Sequence, residues 1–231
     1  MSDASHKHQQ KIWEQEHSHP HLFPHLAKDE VSGGVERFYS WLKEHKTNDA
    51  QQTGLEIGCG KGRNSIWLAD QNIQMTGFDF SESAILEAKK RIFDTNTGNP
   101  HFIVHDAIDV WPFDDNHFDF ILDCFALIDI DVNLEEVFAE IQRVLKPGGY
   151  FCMYTNSEKT QMYQMLAQNN DDTTYHYPDN NKFERIFTRE TLKHFNSHFE
   201  EMVYETYDRS AEYSGELYIW NHMWVIYKKI I

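Results

Sequence analysis

The stretch Leu55-Glu56-Ile57-Gly58-Cys59-Gly60-Lys61-Gly62-Arg63-Asn64-Ser65-Ile66-Trp67-Leu68-Ala69 constrains the fold more than any other part of the chain. An apolar strand end runs straight into glycines at three alternate positions, and a helix-like repeat follows at once. A strand, a tight loop and a helix N-terminus in that order let a backbone approach a bound nucleotide. Gly58, Gly60 and Gly62 lack the β-carbons that would obstruct that approach. The dinucleotide fingerprint needs glycine or alanine at the sixth position, where Arg63 stands, so NAD is disfavoured. A phosphate loop is excluded because no Gly-Lys-Ser/Thr closes the stretch.

The rest of the chain alternates strand and helix patterns. Residues 73–78 read as a strand ending at Asp79, 102–104 as a short strand ending near Asp106, 118–123 as a buried strand, and 150–154 as the next one. Ser32, Ser81, Asn133 and Thr188 stand where they can cap helices with apolar faces. Residues 146–149, Lys-Pro-Gly-Gly, end the helix that Asn133 starts. Residues 169–182 are polar and read as an exposed loop, and 201–207 and 222–228 read as a terminal strand pair. This order predicts an α/β fold, doubly wound on a mostly parallel sheet with right-handed crossovers. Such a sheet binds ligands at the carboxyl ends of its strands. That rule gathers the 58–62 loop, Asp79, Asp106, Asp123, Cys124 and Phe125 on one rim.

At 231 residues the chain fits one large domain, residues 32–231, preceded by a histidine-rich arm over residues 1–31 placed to cap the active site. A metal site on His17, His19 and His21 is the sharper reading of the arm. A partly ordered arm is the plainer one, because no cysteine or clustered carboxylate completes a ligand set. The formal net charge of −16 argues against nucleic acid as a partner. Cys59, Cys124 and Cys152 are far apart and form no metal spacing, which points to a reduced, cytoplasmic setting. The longest apolar run is interrupted by Asp119, Asp123 and Asp129, so no membrane span is expected.

Glu56, Gly58, Gly60 and Gly62 match the fixed places of acid-x-Gly-x-Gly-x-Gly, and from about residue 35 onward the chain resembles a class I S-adenosylmethionine (SAM)-dependent methyltransferase. The resemblance implies SAM as cofactor and S-adenosylhomocysteine as product. It places Asp79 on the ribose hydroxyls, with Phe80 and Ser81 lining the adenine, and Asp106, with Ala107 and Ile108 beside it, on the adenine amino group. Cys59 and Arg63 belong to the first motif, and Phe118-Asp119-Phe120-Ile121 with Asp123-Cys124-Phe125 to the fourth, near the methyl donor. Asp119 is expected to be structural, and Cys59 and Cys124 to be small core residues. The run Gly62-Arg63-Asn64-Ser65-Ile66-Trp67-Leu68-Ala69 looks most like the thiopurine- and tellurite-resistance branch.

The implied chemistry is transfer of a methyl group to an oxygen, nitrogen or sulfur-type atom of a small-molecule acceptor, in which positioning does much of the work. Any base required would come from Asp123, Asp129, His25 or His222. Trp13, Phe23, Tyr213, Trp220 and Trp224 are expected to help wall the acceptor pocket. No Pro-Pro follows Asp123, unlike the pattern of amino-group methyltransferases acting on adenine or glutamine, and Cys124 does not follow a proline as in cytosine C5 enzymes. The competing readings are a protein methyltransferase, a non-catalytic SAM sensor or subunit, and an NAD-dependent oxidoreductase.

Overall fold

The computed structural model describes residues 3–19, 29–45, 50–95, 99–166, 174–177, 182–195, 197–213 and 215–230. In chain order its first half contains α1 (Asp3–Ser18), α2 (Gly33–His45), β1 (Thr53–Ile57), α3 (Arg63–Asp70), β2 (Gln74–Asp79), α4 (Glu82–Thr95) and β3 (His101–Val104). The second half contains β4 (Phe118–Cys124), α5 (Glu135–Val144), β5 (Leu145–Asn156), α6 (Gln161–Leu166), β6 (Thr174–His176), β7 (Phe183–Arg185), α7 (Arg189–Phe195), β8 (Phe199–Tyr213) and β9 (Glu216–Lys229). Seven strands form one sheet in the order β3-β2-β1-β4-β5-β9-β8. Pairing is parallel from β3 to β5, and β9 joins β5 antiparallel, as β8 joins β9. The order reverses between β1 and β4, which opens a crevice at the carboxyl ends of the strands.

Alternation along β4 sends neighbouring side chains to opposite layers. Phe120 and Leu122 pack with Phe38 and Leu42 of α2 and Leu68 of α3. Ile121 packs on the other face with Val137, Phe138 and Ile141 of α5. Fully burying each such side chain is worth about 1.5–3 kcal/mol, so β4 is the spine of the fold. Asp119 is structural: it accepts from the Thr53 N–H at 2.7 Å and pairs with Lys146 at 2.8 Å. Three of the expected caps use side-chain oxygens. Ser81 Oγ accepts from Ala84 N–H at 3.1 Å, Asn133 Oδ1 from Glu135 N–H at 3.0 Å and Thr188 Oγ1 from Thr191 N–H at 3.1 Å. At Ser32 the acceptor is its carbonyl, which takes Val35 N–H at 2.9 Å.

Four local expectations are revised. The Lys-Pro-Gly-Gly turn lies within β5: Leu145 already pairs with Phe118, and the register shifts before Phe120 meets Tyr150. Gly148, at φ 76°, supplies the left-handed residue that this irregularity needs. The terminal strands are longer than the sequence pattern indicates, because β8 and β9, after a register shift between Glu201 and Val203, stay paired out to Tyr213↔Glu216. The polar 169–182 stretch is not simply a loop: Thr174–His176 pairs with Phe183–Arg185, and Tyr175 is buried. Its residues 169–173 and 178–181 lie outside the described residues. Trp224 is a core residue rather than a pocket wall: it is buried, its Nε1–H donates to the Gly34 carbonyl at 3.1 Å, and Arg37 covers its ring.

Candidate active site

Above the crevice between β1 and β4 lies a cavity of about 610 Å³. Its floor is the loop from β1 to α3. The three glycines of this loop all have positive φ, but they do different things. A β-carbon on Gly58 would lie 2.3 Å from Ala126 Cβ, and one on Gly62 would lie 2.5 Å from Phe102 Cζ. Those two glycines let neighbouring elements pack. Only at Gly60 would the added carbon point toward the cavity, where its nearest neighbour is His17 Cε1 at 3.5 Å. The loop is also tied from below. Glu56, buried at the end of β1, accepts from Asn64 Nδ2 at 2.7 Å and from Ser65 Oγ, both in the first turn of α3. Burial pushes the Glu56 carboxyl up, and the Ser65 and Asn64 hydrogen bonds oppose that shift.

Asp79 ends β2 beside this loop. Its Oδ2 accepts from the Gly60 N–H and its Oδ1 from the Ser81 N–H, both at 2.9 Å. Burial pushes its carboxyl up to about 6 despite those two donors. Asp106 follows β3. Its Oδ1 accepts from the Ile108 N–H at 3.2 Å, and its Oδ2 from His6 Nε2 at 3.0 Å and from Gln10 Nε2. Burial raises the Asp106 carboxyl, but the bonds from His6, Ile108 and Gln10 outweigh it and hold the group below its ordinary value.

His6 and Gln10 belong to α1, which packs beside α4. Gln9, Gln10, Trp13, Glu16 and His17 recur at three- and four-residue intervals with His6, and this face of α1 lines the cavity. The sequence points to Trp13 as a pocket wall and to His17 only as a metal candidate; Gln9, Gln10 and Glu16 carry no motif that marks them. The spacing of 6, 9, 10, 13, 16 and 17 was the available signal, and it was obscured because the face is polar rather than apolar.

The opposite end of the cavity is built from the strands beyond the switch point. Phe125 leaves β4 with φ 64°, a conformation that costs a bulky residue energy. Its N–H donates to the Tyr154 carbonyl at 3.0 Å, and its ring meets the edges of Tyr154 and His222. Asp129 ends the short 3-10 turn Leu127–Asp129 that follows. Asn156 of β5, His222 and Trp220 of β9, and Tyr177, Lys182 and Glu184 around the β6–β7 pair complete this end. Tyr177 and Lys182 were not anticipated because the 169–182 segment read as solvated, and Asn156 and Glu184 because neither belongs to a recognisable motif.

Of the residues expected at the cofactor, Glu56, Gly58, Cys59, Gly60, Arg63 and Asp79 line the cavity, as do Phe80, Asp106, Ala107, Cys124 and Phe125. Gly62, Ser81, Ile108 and Asp123 stand behind its wall. Gly62 faces Phe102, and Ser81 caps α4. Ile108 contributes a backbone donor to Asp106. Asp123 Oδ1 accepts from the Ala126 and Leu127 N–H groups at 3.0 and 2.9 Å, which fastens the 3-10 turn. Burial pushes the Cys124 thiol up to about 12 and raises Cys59 well above its ordinary value, so both stay protonated and inert.

Among the expected bases, Asp129 and His222 line the cavity and Asp123 does not. His25 lies outside the described residues, as do His21 and Phe23, and nothing is described of the Tyr213 side chain. Burial raises Asp129 well above the ordinary carboxyl value; Lys182 opposes the shift, and Glu184 and Glu16 add to it. Burial, with Arg209 adding, depresses His222 to about 4, so its ring is neutral at pH 7. Among the described residues no three histidine, cysteine or carboxylate side chains are grouped to hold a metal ion. No described helix is long and apolar enough to cross a membrane.

Residues 48–198 match the family described as "Methyltransferase domain". The chain belongs to this family. Similar sequences include an uncharacterized methyltransferase of Synechocystis, 30% identical over 122 residues (52% of this chain, 55% of that one). A demethylmenaquinone methyltransferase of Listeria monocytogenes is 31% identical over 124 residues (51% and 52%). The chain thus spans about half the length of the curated relatives it matches. A SAM-dependent methyltransferase structure from Methanosarcina mazei superposes with TM-score 0.68 at 21% identity, over 82% of this chain and 97% of that one. TehB from Haemophilus influenzae superposes with TM-score 0.65 at 18% identity, over 86% and 62%. These likenesses establish the fold, with its mostly parallel sheet and C-terminal antiparallel pair. They leave the tellurite-resistance branch resemblance without further support.

Proposed function

We propose that this protein is a SAM-dependent methyltransferase acting on a small-molecule acceptor. The observation that carries the reading is the unobstructed backbone at Gly60, where an added β-carbon would meet His17 Cε1 no closer than 3.5 Å, beside the Asp79 carboxylate at the floor of a cavity that continues across the switch point. A volume of about 610 Å³ lies within the range of pockets that enclose a small ligand. The cradle fits the cofactor that the family implies. Asp79, an acceptor-only group when ionised, takes the two ribose hydroxyls. Asp106 and Ala107 meet the adenine, and Arg63 supplies a cation for the carboxylate of the amino-acid end. When bound, SAM supplies a methyl group on a sulfonium, already activated for transfer. The chain's part is to align an acceptor and exclude water, and α1 roofs the cavity with Trp13, Gln10 and His17.

A cavity of this volume, partly covered by α1, suits a small acceptor, and the net charge of −16 disfavours nucleic acid. The quinone chemistry in a relative's name is not carried over, since the match spans only half of each chain. The test is incubation with methyl-labelled SAM and a cell extract separated into small-molecule, protein and nucleic-acid fractions, with S-adenosylhomocysteine affinity measured by calorimetry. Label in the small-molecule fraction is expected. Label confined to protein would replace this reading with a protein methyltransferase, and absence of S-adenosylhomocysteine binding would end the cofactor assignment.

A further inference from the structure

The far end of the cavity is rich in one kind of group. Glu16, Asp129 and Glu184 bring three carboxylates to its wall, and Asn156 adds an amide. The cation there, Lys182, is already engaged: its Nζ lies 3.2 Å from Glu16 Oε2 and 3.3 Å from the centre of the Trp13 ring. The other cations on the cavity wall, Lys61, Arg63 and Arg91, belong to the β1–α3 loop region and to α4. Glu184 accepts the hydroxyl protons of Tyr163 and Tyr177.

Among the described residues of this wall, two oxygens remain unmatched. Asn156, 3% exposed, uses its Nδ2 on Tyr163 Oη at 3.3 Å, but its Oδ1 is buried without a donor. Asp129 Oδ1 is buried without a donor as well. His222, 7% exposed, adds a partnerless ring nitrogen, Nδ1. Buried polar groups left this way call for a partner that donates. Burial raises both Asp129 and Glu184 above the ordinary carboxyl value, so a bound cation, which favours their ionised forms, is the complementary partner, and the rings of Tyr177 and Trp220 on the same wall present faces that attract cations.

We propose that this chamber recognises a small primary or secondary amine in its ammonium form, bound by Asp129, Glu184 and Asn156. The proposal rests on the methyl-transfer reading for what happens next, since the ammonium nitrogen is then the acceptor atom. An ammonium supplies several N–H donors and one positive charge, which neither a quinone nor an oxyanion does. To become a nucleophile it must lose one proton, and Asp129 takes it: R–NH3+ and the carboxylate give R–NH2 and the carboxylic acid. The upward displacement of Asp129 by burial makes it a stronger base than an ordinary carboxylate.

The test is calorimetric titration of the protein, saturated with S-adenosylhomocysteine, with butylamine, phenethylamine and putrescine. Each is compared with the matching alcohol: butanol, 2-phenylethanol or 1,4-butanediol. At least one amine is expected to bind tenfold or more tighter than its alcohol. Asp129→Asn and Glu184→Gln should each abolish that preference while S-adenosylhomocysteine still binds, which shows that the variants are folded. Equal affinity for amine and alcohol across the three pairs overturns the proposal. So does a preference that survives both substitutions. Loss of S-adenosylhomocysteine binding by the unaltered protein would instead strike the methyl-donor reading, so the two failures are separable.

Discussion

The N–H of Gly60 donates to Asp79 Oδ2 at 2.9 Å, so the carboxylate offered to a ligand also fastens the loop that cradles it. Asp79→Asn keeps one acceptor oxygen but loses the charge and turns an N–H toward one of two backbone donors. Hydrogen bonds to charged groups are worth about 1.5–3 kcal/mol, so S-adenosylhomocysteine should bind roughly 10- to 100-fold more weakly. Calorimetric affinity reads this directly, and an unchanged value would remove Asp79 from the site.

The same carboxyl predicts a pH dependence. Burial, against the Ser81 and Gly60 donors, places it at about 6, and only its ionised form can accept both ribose hydroxyls. Affinity for S-adenosylhomocysteine should be flat well above the carboxyl's value of about 6 and fall by about tenfold at one pH unit below it. Asp79→Asn should flatten the profile between pH 5 and 7. A profile that keeps its slope in that variant would assign the titration to another group.

The site's first half was legible in the chain because its residues are dictated by backbone needs. Gly58 and Gly62 must be glycine whatever the ligand, Asp79 ends β2, whose apolar pattern is plain, and Asp106 follows two residues after β3. The second half was legible only in part: Phe125, Asp129, Trp220 and His222 were expected there, whereas Asn156, Tyr177, Lys182 and Glu184 were not. Tyr177, Lys182 and Glu184 reach the cavity through a two-stranded pairing only three residues long on each side, embedded in a polar stretch with no periodic signal. Phe125 was placed at the rim by its motif, but the left-handed backbone that sets its ring is one that no residue type announces. The long β8–β9 pair was underestimated because its outer half carries charged residues such as Asp208, Arg209 and Glu212, which suit an exposed ribbon and mask the strand alternation.

Gly58 and Ala126 give a packing test. A β-carbon at Gly58 would sit 2.3 Å from Ala126 Cβ, and Gly58 is at φ 58°. Gly58→Ala therefore incurs both a left-handed penalty of about 1–2 kcal/mol and a clash between two loops. Ala126→Gly removes the clash and leaves the backbone penalty. The double variant should recover part of the melting temperature lost by Gly58→Ala. No recovery would show that the cost is conformational alone.

Asp123 offers a stability prediction with an unusual sign. It is 1% exposed, and burial pushes its carboxyl from 3.8 up to about 7 against the Leu127 and Ala126 N–H donors, with Glu56 adding to the rise. The folded protein therefore keeps a proton that the unfolded chain releases. The stability tied to that proton is present below 3.8 and is lost as the pH climbs through about 7. The gap corresponds to roughly 4 kcal/mol. Asp123→Asn retains an oxygen for both backbone donors and cannot ionise, but its new N–H2 group has no acceptor, at a cost of about 1–3 kcal/mol. Urea denaturation should find the variant more stable than the parent by about 1–3 kcal/mol at pH 8. Near pH 4 the advantage should vanish or reverse. A difference independent of pH would mean that Asp123 does not titrate as its burial requires.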